Sequence, residues 1–196
     1  MKICLVRHGE TDWNIKHIYQ GAQDIPLNAT GIAQAERTGQ VMRHMHWDAV
    51  FSSELSRAYD TGAAISRACG IALPTKIKNV QERDFGIYDG WPSRGEGKPT
   101  AEQMANEPTV ETRTATADRM EAALLKLCGE NYGKDIVLVS HNGALGALLR
   151  RLFGKEIVGN LKNCSINLLE YKEGRFHPLD IDLSQDEFEA KYGKAE

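Results

Sequence analysis

Four side chains able to bind anions or move protons stand directly after apolar runs. Arg7 and His8 follow Ile3–Val6, Arg57 lies a turn past Asp48–Ser52, and His141 closes the run Asp135–Ser140. If these runs are parallel strands of one sheet, all four emerge at the same end, where open α/β sheets bind their ligands. Two guanidinium forks and two imidazoles converging there make a trap for a phosphoryl group, because arginine's planar donors match phosphate oxygens in pairs. A neutral imidazole can also attack phosphorus and carry it as phosphohistidine. The surrounding cations disfavour imidazolium and offset charge on the transferring oxygens. The backbone of Asn142-Gly143, at a helix start, adds amide donors and the positive end of a helix dipole. A leaving alkoxide then needs a proton. Glu82, within Gln81-Glu82-Arg83-Asp84-Phe85-Gly86, is placed to give it, since a phosphate pushes a nearby carboxyl toward its protonated form. Asp84 shares its face if this piece is extended, and is the rival donor.

The elements that must position these groups follow from periodicity. Ile3–Val6, Asp48–Ser52, Leu73–Ile77 and Asp135–Ser140 read as strands. Helices are expected from about Gly31 to Met45 with Thr30 as N-cap and Ile32, Ala35, Gly39 and Met42 on one face. Further helices are expected over Leu55–Cys69 closed by Gly70, from about Ala117 to Gly129, and over Asn142–Phe153 stopped by Gly154. Ser165–Tyr171 and Arg175–Ile181 form a hairpin around Glu173-Gly174, and the acidic tail after Leu183 frays or forms a last helix. Strands alternating with helices imply an α/β fold on a largely parallel sheet with an antiparallel edge. Trp91–Thr116, rich in Gly and Pro, reads as a small polar cap with one short helix near Ala101–Asn106.

Composition narrows the function. The 196 residues are 41% hydrophobic and 26% charged, so a core can be buried and disorder is excluded. A formal charge of −3 gives no nucleic-acid footprint, and any anion must be held by a few placed cations. The first apolar run is too short for a signal peptide or a membrane span, so a cytoplasmic location away from membranes is expected. Cys4, Cys69, Cys128 and Cys164 form no C-x-x-C pair and read as scattered thiols. His17, His44, His46 and His177 read as structural or solvated. Trp13, Trp47 and Trp91 read as packing residues, with Trp91 the one to face substrate.

Several motifs in order resemble the histidine phosphatase superfamily, in the branch that includes the cofactor-dependent phosphoglycerate mutases. They are Leu5-Val6-Arg7-His8-Gly9-Glu10-Thr11 with Asn14, Tyr19-Gln20-Gly21, Pro26-Leu27 with Thr30-Gly31, Ser52-Ser53 with Leu55, Arg57-Ala58 and Thr61, Glu82 with Phe85-Gly86, and Val139-Ser140-His141. The resemblance covers nearly the whole chain. It implies one domain over residues 1–196 with the cap at about 91–116, and a three-layer α/β/α sandwich on a mixed sheet. It implies His8 as the phosphorylated nucleophile, Arg7, Arg57 and His141 on the phosphoryl oxygens with Asn14 as a further donor, Glu82 as proton donor, and Gln20-Gly21 on the substrate side. No metal or diffusible cofactor is implied for hydrolysis.

The family often carries Glu-Trp-Glu-Gly where this chain has Ile87-Tyr88-Asp89-Gly90. Mutases also carry a longer insertion whose basic residues grip a second acidic group. Here the cap's basic residues are Arg94, Lys98 and Arg113. A short cap that admits water suits a phosphatase better than a mutase. The expectation is therefore a metal-independent phosphatase acting on a small phosphorylated metabolite, as a monomer or homodimer. A phosphoglycerate mutase and a non-catalytic phospho-ligand binder are the alternatives. A sugar phosphate, a phosphoglycerate and a nucleoside-type monophosphate such as α-ribazole phosphate all remain open as substrates.

Overall fold

The computed structural model describes residues 1–155 and 159–193. In chain order its elements are β1 (Lys2–Arg7), α1 (Asp12–Ile15), α2 (Ala29–Met42), β2 (Ala49–Ser52), α3 (Ser56–Cys69), β3 (Thr75–Lys76), a 3₁₀ turn (Gly86–Tyr88), α4 (Ala101–Asn106), α5 (Arg113–Glu130), β4 (Ile136–Ser140), α6 (Asn142–Phe153), β5 (Ile166–Lys172), β6 (Arg175–Leu183) and α7 (Gln185–Tyr192). The strands form one sheet in the order β3-β2-β4-β1-β5-β6. β1 to β4 run parallel, and β5 and β6 close the other edge antiparallel.

The two central strands explain the layering. β4 buries all five of its residues and β1 all but Lys2, so both faces of each must be covered. Ile3, Leu5, Ile136 and Leu138 meet Met120, Leu124, Leu145 and Leu148 from α5 and α6. Cys4, Val6, Val137 and Val139 point the other way, onto Met42, Ile65 and Phe188 from α2, α3 and α7. The result is the expected three-layer α/β/α sandwich on a mixed, mostly parallel sheet. Burying each large aliphatic side chain contributes roughly 1.5–3 kcal/mol.

Several boundaries differ from the sequence expectation, each for a local reason. α2 is capped by Asn28, whose side chain accepts from Gly31 N at 2.8 Å, and Thr30 lies inside the helix. Ile32 is 51% exposed, and Gly31, Thr38 and Val41 join Ala35, Gly39 and Met42 on the inner face. β3 is only two residues long and exposed, an edge paired to Phe51 and Ser52 alone. α5 starts at Arg113 behind the N-cap Thr112, so the last residues of the expected cap are its first turn. α4 forms where expected, with Thr100 and Gln103 capping it reciprocally. The tail folds as α7, capped by Ser184 and Glu187. α1 and the 3₁₀ turn fall in stretches that carried no expectation. All four cysteines are free thiols. Among the described residues, no helix is long and apolar enough to cross a membrane.

Candidate active site

Strand register brings the first pair together. β1 runs parallel to β4 with Arg7 opposite Ser140, so the next residues, His8 and His141, leave the sheet side by side. His8 N donates to Ser140 O at 3.0 Å, and the two imidazole centroids are 5.1 Å apart. β2 lies on the other side of β4, and the helix it feeds presents Arg57 in its first turn. Thr61, one turn on, ties the pieces together. It accepts from Gly9 N at 3.0 Å and donates to Arg57 O at 2.8 Å. Gly9 must lack a side chain because a Cβ there would sit 2.5 Å from Gly31 O, where α2 packs on the loop.

The hydrogen bonds assign opposite tautomers to the two histidines. Gly9 O, an acceptor only, lies 2.6 Å from His8 Nδ1, so Nδ1 carries the proton and Nε2 keeps its lone pair. Arg57 Nε, a donor only, gives to His141 Nδ1 at 3.3 Å, so His141 carries its proton on Nε2. That Nε2 is buried and has no partner among the described residues, a donor suited to an anionic oxygen. Both rings are held neutral. Burial depresses the His8 and His141 pKa well below the usual imidazole value, and Arg57 and Arg7 push the same way. Burial, more than the cations, is thus the larger cause. Arg57 is fully buried, and burial pulls it down to about 10, opposed by Glu82, Asp24 and Asp89. It donates to Gln23 O at 2.7 Å and Gly21 O at 3.1 Å, and is still a cation at neutral pH. Arg7 is anchored through Nη1 to Leu161 O, while its Nε is buried without a partner among the described residues.

Glu82 occupies the N-terminus of α6. Its carboxylate accepts from Gly143 N at 3.1 Å, Ala144 N at 2.9 Å and Arg83 N at 2.8 Å. Of the two amides expected to reach the phosphoryl group, those of Asn142 and Gly143, Gly143 N holds the carboxylate instead, joined by Ala144 N. Arg119 fixes the strap that carries it. Its guanidinium donates to the carbonyls of Asn79, Gln81 and Glu82 and forms a two-pronged pair with Glu111 at 2.6 and 2.8 Å. Asp84 is exposed and accepts from Gly86 N, outside the cleft.

These groups line a cleft of about 520 Å³. Arg7, His8, Asn14, Gln20, Arg57, Glu82 and Asn142 are on its wall. His141 and Gly21 are not among the residues of that wall, but the His141 ring lies 5.1 Å from that of His8 and Gly21 contributes the carbonyl that holds Arg57. Asn14 Oδ1 accepts from Thr11 N and from Asn163 Nδ2, leaving its amide nitrogen as the donor. Sequence reasoning missed Asn160 and Asn163, which reach the cleft from the segment before β5, and the Arg119–Glu111 clamp. No local signal marks them, because Asn163 reaches His8 and Asn14 across 155 and 149 residues, Asn160 accepts from Asn142 18 residues away, and Arg119 reaches back 40 residues to Asn79. Trp13, not Trp91 as expected, is on the wall, Trp91 packing edge-on against Tyr88. His17 is exposed, as its solvated reading expects, and with Arg94 lines the cleft. His46 instead pairs with Asp48 on the surface.

Residues 3–183 match the model of the histidine phosphatase superfamily, branch 1. An uncharacterized phosphatase PhoE from Bacillus subtilis (strain 168) is 33% identical over 185 residues, 93% of this chain and 94% of the relative. A probable phosphoglycerate mutase GpmB from Yersinia pestis (strain Pestoides F) is 34% identical over 186 residues, 88% of this chain and 86% of the relative. The crystal structure of a phosphoserine phosphatase from Entamoeba histolytica in complex with 3-phosphoglyceric acid superposes with a TM-score of 0.79 at 27% identity, over 94% of this chain and 98% of that one. These likenesses point to phosphatase or mutase activity. They reach from β1 through β6 and take in every strand that feeds the cleft, so the chain belongs to the histidine phosphatase superfamily, branch 1.

Proposed function

We propose that this protein is a metal-independent phosphomonoesterase that works through a phosphohistidine on His8. The observation that carries the reading is the opposed pair of neutral imidazoles: His8 presents a bare Nε2 and His141 a protonated one, with two arginines beside them. In this reading Arg7, Arg57, Asn14 and His141 Nε2–H hold the non-bridging oxygens. Their fixed charge stabilises the transferring group, and the substrate's remainder lies along Gln20, Asn142 and the backbone near Gly21. The His8 Nε2 lone pair forms the N–P bond as the ester P–O bond breaks. The leaving oxygen takes the proton from the Glu82 carboxyl. Water then attacks the phosphoryl group, Glu82 takes its proton, the N–P bond breaks, and phosphate leaves with His8 restored.

Hydrolysis is favoured over mutation of phosphoglycerate by the cap. Its one helix, α4, buries none of its six side chains, which suits a cleft that water enters. The test is an acid-labile phosphoryl label transferred from a phosphorylated substrate. Label on the wild type, none on His8→Ala, and stoichiometric free phosphate support the reading. Isomerised phosphoglycerate without free phosphate would convert it to the mutase, and parent-rate hydrolysis by His8→Ala would refute the mechanism.

A further inference from the structure

The Arg57 guanidinium is buried, yet none of its hydrogen bonds goes to a carboxylate among the described residues. Nε donates to the His141 ring, and Nη1 and Nη2 donate to two carbonyls of one loop, Gln23 O and Gly21 O. Burying a cation among neutral acceptors is costly unless their dipoles are held firmly against it. The loop therefore decides where this cation stands, and what fixes the loop fixes part of the phosphoryl cradle. One end of it is tied to the start of α3, where Ser56 N and Oγ donate to Asp24 Oδ1 at 2.7 and 2.8 Å. Its middle rests on Asp89, the acid of Ile87-Tyr88-Asp89-Gly90, which the phosphoryl-transfer reading does not use.

Asp89 reaches the loop from the strap that follows the 3₁₀ turn. Main-chain bonds clasp strap and loop together, from Gly90 N to Tyr19 O at 2.8 Å and from Tyr19 N to Trp91 O at 2.9 Å. Asp89 Oδ2 accepts from Ala22 N at 3.1 Å. Gly21 lies so close that a Cβ there would fall 2.5 Å from Asp89 Cγ, and its φ of +46° also favours glycine. Gly21 C=O and Ala22 N–H are the two ends of one peptide group, pointing in opposite directions. That single group accepts from Arg57 Nη2 at 3.1 Å and donates to Asp89 at 3.1 Å. Cation, peptide dipole and anion thus follow one another in the order in which each hydrogen bond polarises the next. Burial raises the Asp89 carboxyl only to about 6, so it is ionised at neutral pH, and the Arg57 charge favours that form. Asp89 itself is not among the residues of the cleft wall. We propose that Asp89 is the positioning residue of Arg57, holding the guanidinium in the phosphoryl cradle through the Gly21–Ala22 peptide. Arg57 as a phosphoryl ligand comes from the phosphomonoesterase reading, on which this relay rests.

A double-mutant cycle on the binding of inorganic phosphate tests it. Asp89→Ala should weaken phosphate about tenfold, the worth of one hydrogen bond to a charged group. Asp89→Asn keeps an acceptor for Ala22 N and should recover part of that loss. In an Arg57→Ala background, Asp89→Ala should cost less than about twofold, because the group it positions is gone. Asp89→Leu, similar in size but without an acceptor, serves if Asp89→Ala does not fold. Unchanged affinity in Asp89→Ala, an equal loss with and without Arg57, or a loss in Asp89→Asn as large as in Asp89→Ala would overturn the relay. Nitrogen-15 NMR reads the guanidinium with no ligand present, its signals identified by their loss in Arg57→Lys. The two Nη groups should rotate slowly and stay resolved in the parent, and average together in Asp89→Ala. Signals that stay resolved in Asp89→Ala would also overturn it. Release of phosphate from an aryl phosphate is scored separately. Its absence refutes the phosphomonoesterase reading, while the Arg57 signals still decide whether Asp89 holds the guanidinium.

Discussion

Adding one methyl group at Gly143 should disable proton donation while leaving the fold and the phosphoryl cradle in place. A Cβ there would lie 2.5 Å from Glu82 Oε1, short of the 3.4 Å at which ordinary contact begins. The carboxylate must retreat by about 0.9 Å, and the Arg83 Cβ at 3.3 Å closes one way out. Gly143 sits within α6, so alanine suits its backbone and helix propensity changes in alanine's favour by up to ~1 kcal/mol. Displacement of a reacting group by ~1 Å costs on the order of 100-fold in rate. The assay compares Gly143→Ala with the parent on an alkyl phosphate, whose leaving oxygen needs the proton, and on p-nitrophenyl phosphate, whose leaving group does not. Turnover of the alkyl ester should fall ~100-fold and that of the aryl ester less than tenfold, in proportion to the general-acid contribution. Binding of inorganic phosphate should change less than threefold. Unchanged alkyl-ester turnover, or equal losses on both esters, would refute the reasoning that Glu82 is the proton donor and Gly143 its seat.

Three further outcomes follow from the same contacts. His8 and His141 have depressed folded pKa values, so each contributes stability that is present above the unfolded imidazole value and lost as pH falls through it. Between pH 6.5 and 5 the urea midpoint should therefore fall, His8→Gln should show a smaller fall, and a pH-independent midpoint would contradict the burial argument. Arg119→Ala removes the hydrogen bonds to the Asn79, Gln81 and Glu82 carbonyls and the Glu111 pair at once. It should lower stability by ~3 kcal/mol and alkyl-phosphate turnover at least tenfold, with phosphate affinity preserved. Loss of phosphate affinity in its place would assign Arg119 to the anion cradle. Burial raises the Asp89 carboxyl to about 6, so its contribution is full below the unfolded carboxylate value and is lost as pH rises through 6. Asp89→Asn keeps an acceptor for Ala22 N and should be more stable than the parent by ~1 kcal/mol above pH 7, after solvent screening, and equal to it near pH 3 in thermal unfolding.

The strands that build the site were legible because their burial leaves a mark in composition. Ile136–Ser140 is apolar throughout since both its faces are covered, and the glycine after Phe153 ends α6 at the expected place. β3 is shorter than expected because an exposed edge of two residues has no such constraint, and Asn28 rather than Thr30 caps α2 because capping rules do not see that the chain at Asn28 is also bonded to Glu10 O. Arg7, His8, Arg57, Glu82 and His141 announced themselves by type and by their place after strands. What local pattern could not show is which amide holds which group. The α6 amides serve Glu82, and Asn163 bridges His8 O and Asn14 from the far end of the chain. Such partners are set by how the parallel strands cross over, a long-range property that no window of residues contains.

The most direct test of the opposed imidazoles is nitrogen-15 NMR of the histidine side chains in uniformly labelled protein between pH 7 and pH 5.5. Two neutral rings are expected throughout, one protonated on Nδ1 that disappears in His8→Ala, and one protonated on Nε2 that disappears in His141→Ala. A cationic His8 at pH 7, or a His8 ring carrying its proton on Nε2, would leave no lone pair facing the phosphoryl group and would contradict it.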